Sequence, residues 1–177
     1  VRQQEMLGLG HAILTGQPLI GNEAFAVILA DDLCFSHEPN VTQQMLEVYS
    51  KYKCSIVAIE EIPMSKTINY GIIDGELIDN SKNIYQVKNM VEKPQEIDSP
   101  SNLAIIGRYI LTPEIFDILR ETKPDSNDEI QITDALLSLA KEGKVLAYKF
   151  NGKRFDCGSV DGFVEATNYF HNLNINN

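Results

Sequence analysis

The segment Val91-Glu92-Lys93-Pro94 places a carboxylate beside an ammonium group at the end of a β-like run, Ile84 to Met90. A carboxylate can accept hydrogen bonds from sugar hydroxyls, and an ammonium group can hold a phosphate. Neighbouring side chains on an extended strand point to opposite faces, so the two charges should not form a simple salt bridge on one surface. One of them faces a pocket, or the chain bends so that both line it. The alternative is a solvated strand end with two ordinary charges.

Aspartates at two other places could bind a divalent cation. Asp31 and Asp32 follow the apolar run 25–29, and open α/β sheets bind ligands where their strands end. A carboxylate oxygen there can hold Mg²⁺ while substrate phosphates complete the coordination shell. Asp156, just before Cys157-Gly158, is a candidate for a second metal carboxylate. The structural alternatives are a turn or helix-capping pair at 31–32 and an Asx turn at Asp156.

Small and polar residues elsewhere could admit a substrate. Gly8 would let the backbone approach a base or a phosphate, Gly71 offers bare backbone to a sugar ring, and Asn102 offers an amide for hydroxyl groups. A loose turn, a β-bulge and a polar loop are the respective structural alternatives. The segment 128–131 precedes a helix, and Thr133 and Asp134 fall near the first turn of that helix. Acidic residues there complement the helix dipole, so we interpret the segment as structural.

Alternating strands and helices must position these residues. Continuous apolar runs predict strands buried on both faces over 25–29 and 55–60, which is typical of a parallel sheet with a right-handed crossover. Apolar residues at helical spacing predict helices. Thr112 as an N-cap residue, followed by Pro113 in the first turn, predicts a further helix start. A strand is predicted over 145–150. The predicted helices cover residues 8–16, 41–52, 131–142 and 160–171, with a frayed tail over 172–177.

The pattern changes between about residues 70 and 111. Short strands separated by turn signals at Asp74-Gly75 and Asp79-Asn80 predict a mixed or antiparallel β-rich insertion. The whole chain is therefore expected to be one α/β domain over residues 1–177.

Composition limits the classes of partner. The net charge of −10 argues against nucleic acid and anionic membranes, since both would be repelled. The longest apolar runs are too short to span a bilayer, and the polar start does not resemble a signal peptide. The three cysteines show no zinc spacing and no C-x-x-C pair, which favours a reduced, cytoplasmic protein.

Eight motifs follow one another along almost the whole chain. They are Val1-Arg2-Gln3, Gly8-Leu9-Gly10-His11-Ala12, Ala26 to Asp31, Tyr70-Gly71, Val91 to Pro94, Ser101 to Tyr109, Asp128 to Asp134 and Asp156-Cys157-Gly158. Taken together and in this order, they closely resemble those of the bacterial UTP–glucose-1-phosphate uridylyltransferases, and no single motif decides the resemblance.

The resemblance implies a Rossmann-like nucleotide-diphospho-sugar transferase fold with a mixed, mostly parallel sheet flanked by helices, and a sugar-binding role for residues 70–111. It also implies that glucose 1-phosphate attacks the α-phosphorus of UTP, which gives UDP-glucose and pyrophosphate. Mg²⁺ is the implied cofactor and a homo-oligomer, a dimer or a tetramer, the implied assembly. The implied roles are uracil contacts for Gln3 and Gly8, Mg²⁺ ligation for Asp31 and Asp156, glucose contacts for Glu92, Gly71 and Asn102, and a grip on the sugar phosphate for Lys93, with Lys93 and Asp31 as the catalytic residues.

One departure from the family pattern concerns the nucleotide. The family begins with a glycine-rich G-L-G-T-R loop and a P-K-E-M-L segment that cradle the triphosphate, and neither is present in this sequence. We therefore expect a carboxyl-terminal part that lacks the first βα units and is inactive alone. The alternatives are a relative that uses dTTP, and a non-catalytic sugar-phosphate-binding or oligomerisation module.

Overall fold

Helices pack against a mixed sheet in the computed structural model, which describes residues 1–78 and 83–175. The strands are β1 (Phe25–Ile28), β2 (Asp32–Phe35), β3 (Ser55–Glu61), β4 (Gly71–Leu77), β5 (Ile84–Glu92), β6 (Leu103–Leu111), β7 (Val145–Lys149) and β8 (Lys153–Asp156). The helices are α1 (Gly8–Ile20), α2 (Val41–Tyr52), α3 (Ile115–Glu121), α4 (Ile132–Lys141) and α5 (Val160–Ile175), with short 3₁₀ turns at Met64–Asn69 and Glu96–Asp98. The predicted turn at Asp79-Asn80 lies outside the described residues.

The main sheet has six strands in the order β1-β6-β3-β7-β5-β4. Within the described ranges, β3 and β7 form the one parallel pair, and the other pairings are antiparallel. The expected mixed sheet is confirmed, but the expectation that it is mostly parallel is wrong. An apolar run shows that a strand is buried on both faces and leaves the direction of its neighbours open. Ile72 and Ile73 of β4 also pair with β6, so the pairing from β6 through β3, β7, β5 and β4 returns to β6.

Strand β1 differs from the prediction because it forms an edge of this sheet. Phe25 and Val27 pack on the core, whereas Ala26 and Ile28 are exposed. Helix α2 covers one face of the sheet, and the strand residues in its apolar cluster belong to β3, β6 and β7. The outer face of β1 is therefore uncovered, and the prediction of a strand buried on both faces holds for β3 but not for β1.

The helices largely follow the predicted pattern. Helix α2 has the predicted bounds, and the Asn40 side chain caps it by accepting from Gln43 N. Helices α1, α3 and α4 contribute to the core cluster on the other face of the sheet. Helix α1 continues to Ile20 and α5 to Ile175, beyond the predicted ends. In the part of the chain that the structure describes, no helix combines the length and the apolar character needed to cross a membrane.

The two-stranded ladder of β2 and β8 positions the acidic residues. Asp32 pairs with Asp156 at one end of the ladder, and Phe35 pairs with Lys153 at the other. No sequence pattern predicted this pairing, because both strands are only four residues long and lie far apart in the chain. The ladder brings the segments around Asp31 and Asp156 together, and their side chains line the site described next.

Candidate active site

A cleft of about 440 Å³ lies between the ends of β1, β4, β5 and β8 and the start of α4. Most of the predicted site residues line this cleft, and two do not. The lining residues among them are Gly8, Asp31, Gly71, Glu92, Lys93 and Asp156, whereas Gln3 and Asn102 lie outside its wall.

Glu92 and Lys93 both line the cleft because the backbone turns between them. Lys93 adopts a left-handed conformation with φ of +46°, which is uncommon for a residue other than glycine. Its N–H donates to the Tyr70 carbonyl oxygen at 3.0 Å, which holds this turn. The Lys93 Nζ atom lies 3.7 Å from Glu92 Oε1. The expectation that the two charges do not form a salt bridge is therefore wrong, and the alternative of a bend that turns both into one pocket describes the structure.

Thr133 fixes the carboxylate of Glu92. Its hydroxyl donates to Glu92 Oε2 at 2.5 Å, and the Thr133 residue is almost fully buried at the start of α4. Gly71 lies directly against this pair, since a Cβ atom there would be 3.0 Å from Thr133 Oγ1 and 3.1 Å from Glu92 Oε2. A side chain at position 71 would therefore press on the Glu92–Thr133 contact and narrow this end of the cleft.

The segment that precedes α4 and the first turn of this helix also contribute to the cleft wall. Glu129, Gln131 and Thr133 all line it, although the sequence pattern favoured a purely structural role. The Gln131 Nε2 atom donates to Asp125 Oδ2 and to Glu129 Oε2, both at 3.0 Å. The acidic pattern of a helix start does not reveal that this segment reaches the cleft, because its position depends on backbone bonds to the start of α1. The Ile130 N–H donates to the Leu7 carbonyl oxygen at 2.8 Å, and the Gly10 N–H donates to the Ile130 carbonyl oxygen at 2.9 Å.

Asp31 and Asp156 approach each other around Gly158. A Cβ atom at Gly158 would lie 3.4 Å from Asp31 Oδ2 and 3.2 Å from Asp156 Oδ1, so the two oxygens face the same space. The Cys157 N–H donates to the Asp31 carbonyl oxygen at 2.7 Å, which holds the two segments together. The Gly158 N–H donates to Asp156 Oδ1 at 3.2 Å.

Asp32, the neighbour of Asp31, is held in a buried ion pair. Its carboxylate accepts from Arg154 Nε and, at 2.5 Å, from the Gly107 N–H. The Arg154 side chain is only 7% exposed and also lies 3.6 Å from Glu60 Oε2 and 3.4 Å from Asp156 Oδ2. Burial alone would lower the pKa of Arg154, but the hydrogen bonds and negative charges of its partners raise it above the ordinary value. Asp32 therefore has a structural role beside the cleft.

Tyr70 connects the two ends of the cleft. Its hydroxyl donates to Asp156 Oδ2 at 2.7 Å and accepts from Arg154 Nη1 at 3.2 Å. Its ring lies beneath the Arg154 guanidinium, 5.0 Å from the centroid, and its carbonyl oxygen holds Lys93. Burial raises the pKa of Tyr70, so the hydroxyl keeps its proton and acts as a donor to the carboxylate. The sequence pattern predicted a sugar contact for Gly71, the residue that follows, and no role for the Tyr70 side chain.

The two predicted residues outside the cleft wall make backbone contacts. Gln3 Nε2 donates to the Gly8 carbonyl oxygen at 3.2 Å and lies 2.9 Å from His11 Nδ1. Gln3 thus supports Gly8, which does line the cleft. The Asn102 carbonyl oxygen accepts from the Ile62 N–H at 3.0 Å, so its main chain extends the contact between β3 and β6.

The carboxylates Asp31 and Asp156 suit a hard divalent cation that takes other ligands from elsewhere. Across residues 1–78 and 83–175, no three or more His, Cys, Asp or Glu side chains gather as a complete metal site. Mg²⁺ is commonly held by one or two protein carboxylates while phosphates and waters fill its shell. Each carboxylate oxygen carries two lone pairs, so Asp156 Oδ1 can accept from Gly158 and still bind a cation. The residues present therefore fit Mg²⁺ bound together with a phosphate ligand.

Comparison with known proteins gives consistent matches along the chain. The family model described as nucleotidyl transferase matches residues 1–172. A UTP–glucose-1-phosphate uridylyltransferase of Pseudomonas aeruginosa is 60% identical over 174 residues, which cover 97% of this chain and 62% of that protein. One from Staphylococcus epidermidis is 46% identical over 167 residues, or 94% of this chain and 57% of the relative.

A solved structure agrees with these sequence matches. The crystal structure of a UDP-glucose pyrophosphorylase complexed with UDP-glucose has a TM-score of 0.93 and is 60% identical, covering 98% of this chain and 65% of that one. The chain thus spans less than two thirds of the length of the relatives it matches.

Proposed function

The chain belongs to the nucleotidyl transferase family, and on that premise we propose that it forms the sugar-phosphate side of an enzyme that makes UDP-glucose. In the proposed reaction an oxygen of the glucose 1-phosphate phosphate group attacks the α-phosphorus of UTP. The bond from that phosphorus to the β-phosphate oxygen breaks, and pyrophosphate leaves. The observation that carries the proposal is that Glu92, Lys93, Asp31 and Asp156 line one cleft.

Each polar group in and around the cleft has a proposed role toward the substrate. We propose that Glu92, held by Thr133, accepts hydrogen bonds from glucose hydroxyls, and that Gly71 leaves room for the sugar ring. Lys93 would hold the phosphate of glucose 1-phosphate through its ammonium group. Gly8, supported by Gln3, would contact the uracil, and Asn102 would support the sugar side through its main chain.

Asp31 and Asp156 are the proposed Mg²⁺ ligands. When bound, the cation would neutralise phosphate oxygens and so favour attack on the α-phosphorus. The protein's own contribution is to hold the two phosphate groups close together and in line, which is worth a large part of the barrier in such reactions. Lys93, which lines the same cleft, would add a positive charge that offsets the negative charge of the attacking phosphate.

The proposed setting is the cytoplasm, in an assembly of two or four identical chains. Cys34, Cys54 and Cys157 are free thiols, as a reducing compartment allows. Burial raises the pKa of Cys34 to about 11 and also raises that of Cys54, which keeps both thiols protonated and unreactive. Sedimentation velocity would measure the number of chains.

The experiment that tests this function combines binding with turnover. The product of the complete reading frame is assayed with glucose 1-phosphate and either UTP or dTTP, and galactose 1-phosphate serves as the epimer control. We expect UDP-glucose formation with a preference for UTP. Calorimetry with glucose 1-phosphate and UDP-glucose on the 177-residue chain should show binding. Faster turnover with dTTP would replace the uridylyl assignment, and binding without turnover in the complete protein would indicate a non-catalytic module.

Replacing Thr133 with valine is expected to weaken the glucose end specifically. Valine keeps the shape of the buried side chain but cannot donate to Glu92, and a hydrogen bond to a charged group contributes about 1.5–3 kcal/mol. The KM for glucose 1-phosphate should therefore rise by about tenfold or more, while the KM for UTP stays near its original value. Steady-state kinetics measures both constants. Thr133→Ser, which restores the hydroxyl, should recover most of the loss, and an equal defect in both variants would contradict the assignment.

A further inference from the structure

Asp156 has two carboxylate oxygens in different surroundings. Oδ2 accepts from the Tyr70 hydroxyl at 2.7 Å and lies 3.4 Å from Arg154 Nη2. Oδ1 accepts from the Gly158 N–H at 3.2 Å and faces the same space as Asp31 Oδ2. A carboxylate that could rotate freely would exchange these two oxygens, and the cationic Arg154 would then attract whichever oxygen lay closest. The contacts to Oδ2 prevent that exchange.

The hydroxyl of Tyr70 is the group that distinguishes the two oxygens. It is placed between Arg154 and Asp156, because it accepts from the guanidinium at 3.2 Å and donates to the carboxylate. Arg154 itself is anchored elsewhere, by Asp32 and by Glu60. Without the hydroxyl, the Asp156 carboxylate would keep only the 3.4 Å approach of Arg154 on this side, and it could turn toward that positive charge.

We propose that Tyr70 is a positioning residue for the cation-binding carboxylate, in that its hydroxyl fixes Oδ2 of Asp156 so that Oδ1 is presented to a divalent cation together with Asp31. This inference rests on the proposed function, since it takes Asp31 and Asp156 as the Mg²⁺ ligands. Groups that orient a metal ligand from behind typically alter metal affinity by about 10-fold to 100-fold when they are removed. The same residue holds Lys93 through its carbonyl oxygen, a contact that a change of side chain leaves in place.

Tyr70→Phe separates the contact of the hydroxyl with Asp156 from the contact of the carbonyl oxygen with Lys93. The variant loses the hydroxyl and keeps the ring beneath Arg154 and the carbonyl bond to Lys93. Binding of Mn²⁺, a spectroscopic substitute for Mg²⁺, is measured by electron paramagnetic resonance on the complete protein with UDP-glucose present. We expect the Mn²⁺ dissociation constant to rise by about 10-fold to 100-fold. The affinity for glucose 1-phosphate without metal, measured by calorimetry, should not change.

Two controls make the outcomes distinct. Tyr148→Phe removes another tyrosine hydroxyl, one that donates to Gln44 at 3.2 Å outside the cleft, and it should leave Mn²⁺ binding unchanged. Asp156→Asn should abolish most of the Mn²⁺ binding.

Equal Mn²⁺ affinity in the wild type and Tyr70→Phe, with Asp156→Asn impaired, would overturn the role of Tyr70 alone. Equal affinity in the wild type and Asp156→Asn would overturn the metal site and, with it, the role of Tyr70. A parallel loss of glucose 1-phosphate affinity in Tyr70→Phe would show general disruption and also overturn the proposal.

Discussion

Lys93→Ala is expected to lower kcat/KM for UDP-glucose formation by about 100-fold to 1,000-fold, the usual effect of removing one group that stabilises charge in a transition state. The Lys93 side chain is 54% exposed and its nearest anion is Glu92 Oε1 at 3.7 Å. An exposed pair of this kind contributes little to folding. The loss should therefore appear in turnover, because in the proposed mechanism the ammonium group acts on the phosphate of the bound substrate.

The matched control for this variant is Lys88 on β5, the strand that ends just before Lys93. Lys88 is 53% exposed and its Nζ atom lies 3.7 Å from Glu76 Oε2, so its exposure and its ion-pair distance match those of Lys93. Lys88→Ala should retain normal kinetics. Initial rates of the complete protein, measured with both substrates varied, compare the two variants. Near-normal UDP-glucose synthesis by Lys93→Ala would remove Lys93 from the proposed mechanism.

Arg154→Met is expected to destabilise the fold by about 3–5 kcal/mol, the usual cost of removing one partner of a buried ion pair. The Asp32 carboxylate, 9% exposed in its side chain, would keep its bond from the Gly107 N–H and lose its positive partner. Methionine has a similar length, so the loss would arise from the uncompensated charge rather than from a cavity. Urea denaturation followed by far-UV circular dichroism measures the free energy of unfolding, and the chain contains no tryptophan that would report by fluorescence.

Two further variants separate charge from packing at this position. Lys153→Met removes an exposed cation on the same strand, paired with Glu165 at 2.9 Å, and should cost no more than about 1 kcal/mol. In the double variant Arg154→Met with Asp32→Asn, the buried charge is absent, so part of the lost stability should return. A small effect of Arg154→Met alone would mean that Asp32 is solvated rather than buried.

Local patterns predicted the elements whose formation depends on local interactions. The apolar spacing of residues 41–52 gave the bounds of α2, and the continuous apolar run at 55–60 gave the buried strand β3. The direction of the sheet could not be obtained in this way, because both central parallel and central antiparallel strands bury two faces. The exposure of one face of β1 also depends on where α2 packs, which a single apolar run does not encode.

In the candidate site, too, local patterns predicted some residues, and others depend on contacts between distant parts of the chain. Glu92, Lys93 and Asp31 stood out because charges at strand ends are visible in the sequence, and all three line the cleft. Thr133 and Tyr70 did not, because each is identified by a partner far away in the chain, Glu92 for the first and Asp156 for the second. The pairing of Asp32 with Arg154 is equally remote and depends on the β2–β8 ladder.

The left-handed backbone of Lys93 has a consequence for protein engineering. A non-glycine residue in this conformation costs on the order of 1 kcal/mol, and glycine would relieve that strain. A screen for heat tolerance that ignores turnover would thus favour glycine at a position where the ammonium group is proposed to meet the substrate phosphate. Stabilisation campaigns on this chain therefore need heat tolerance and product formation scored in the same round, since at this residue the two selections oppose each other.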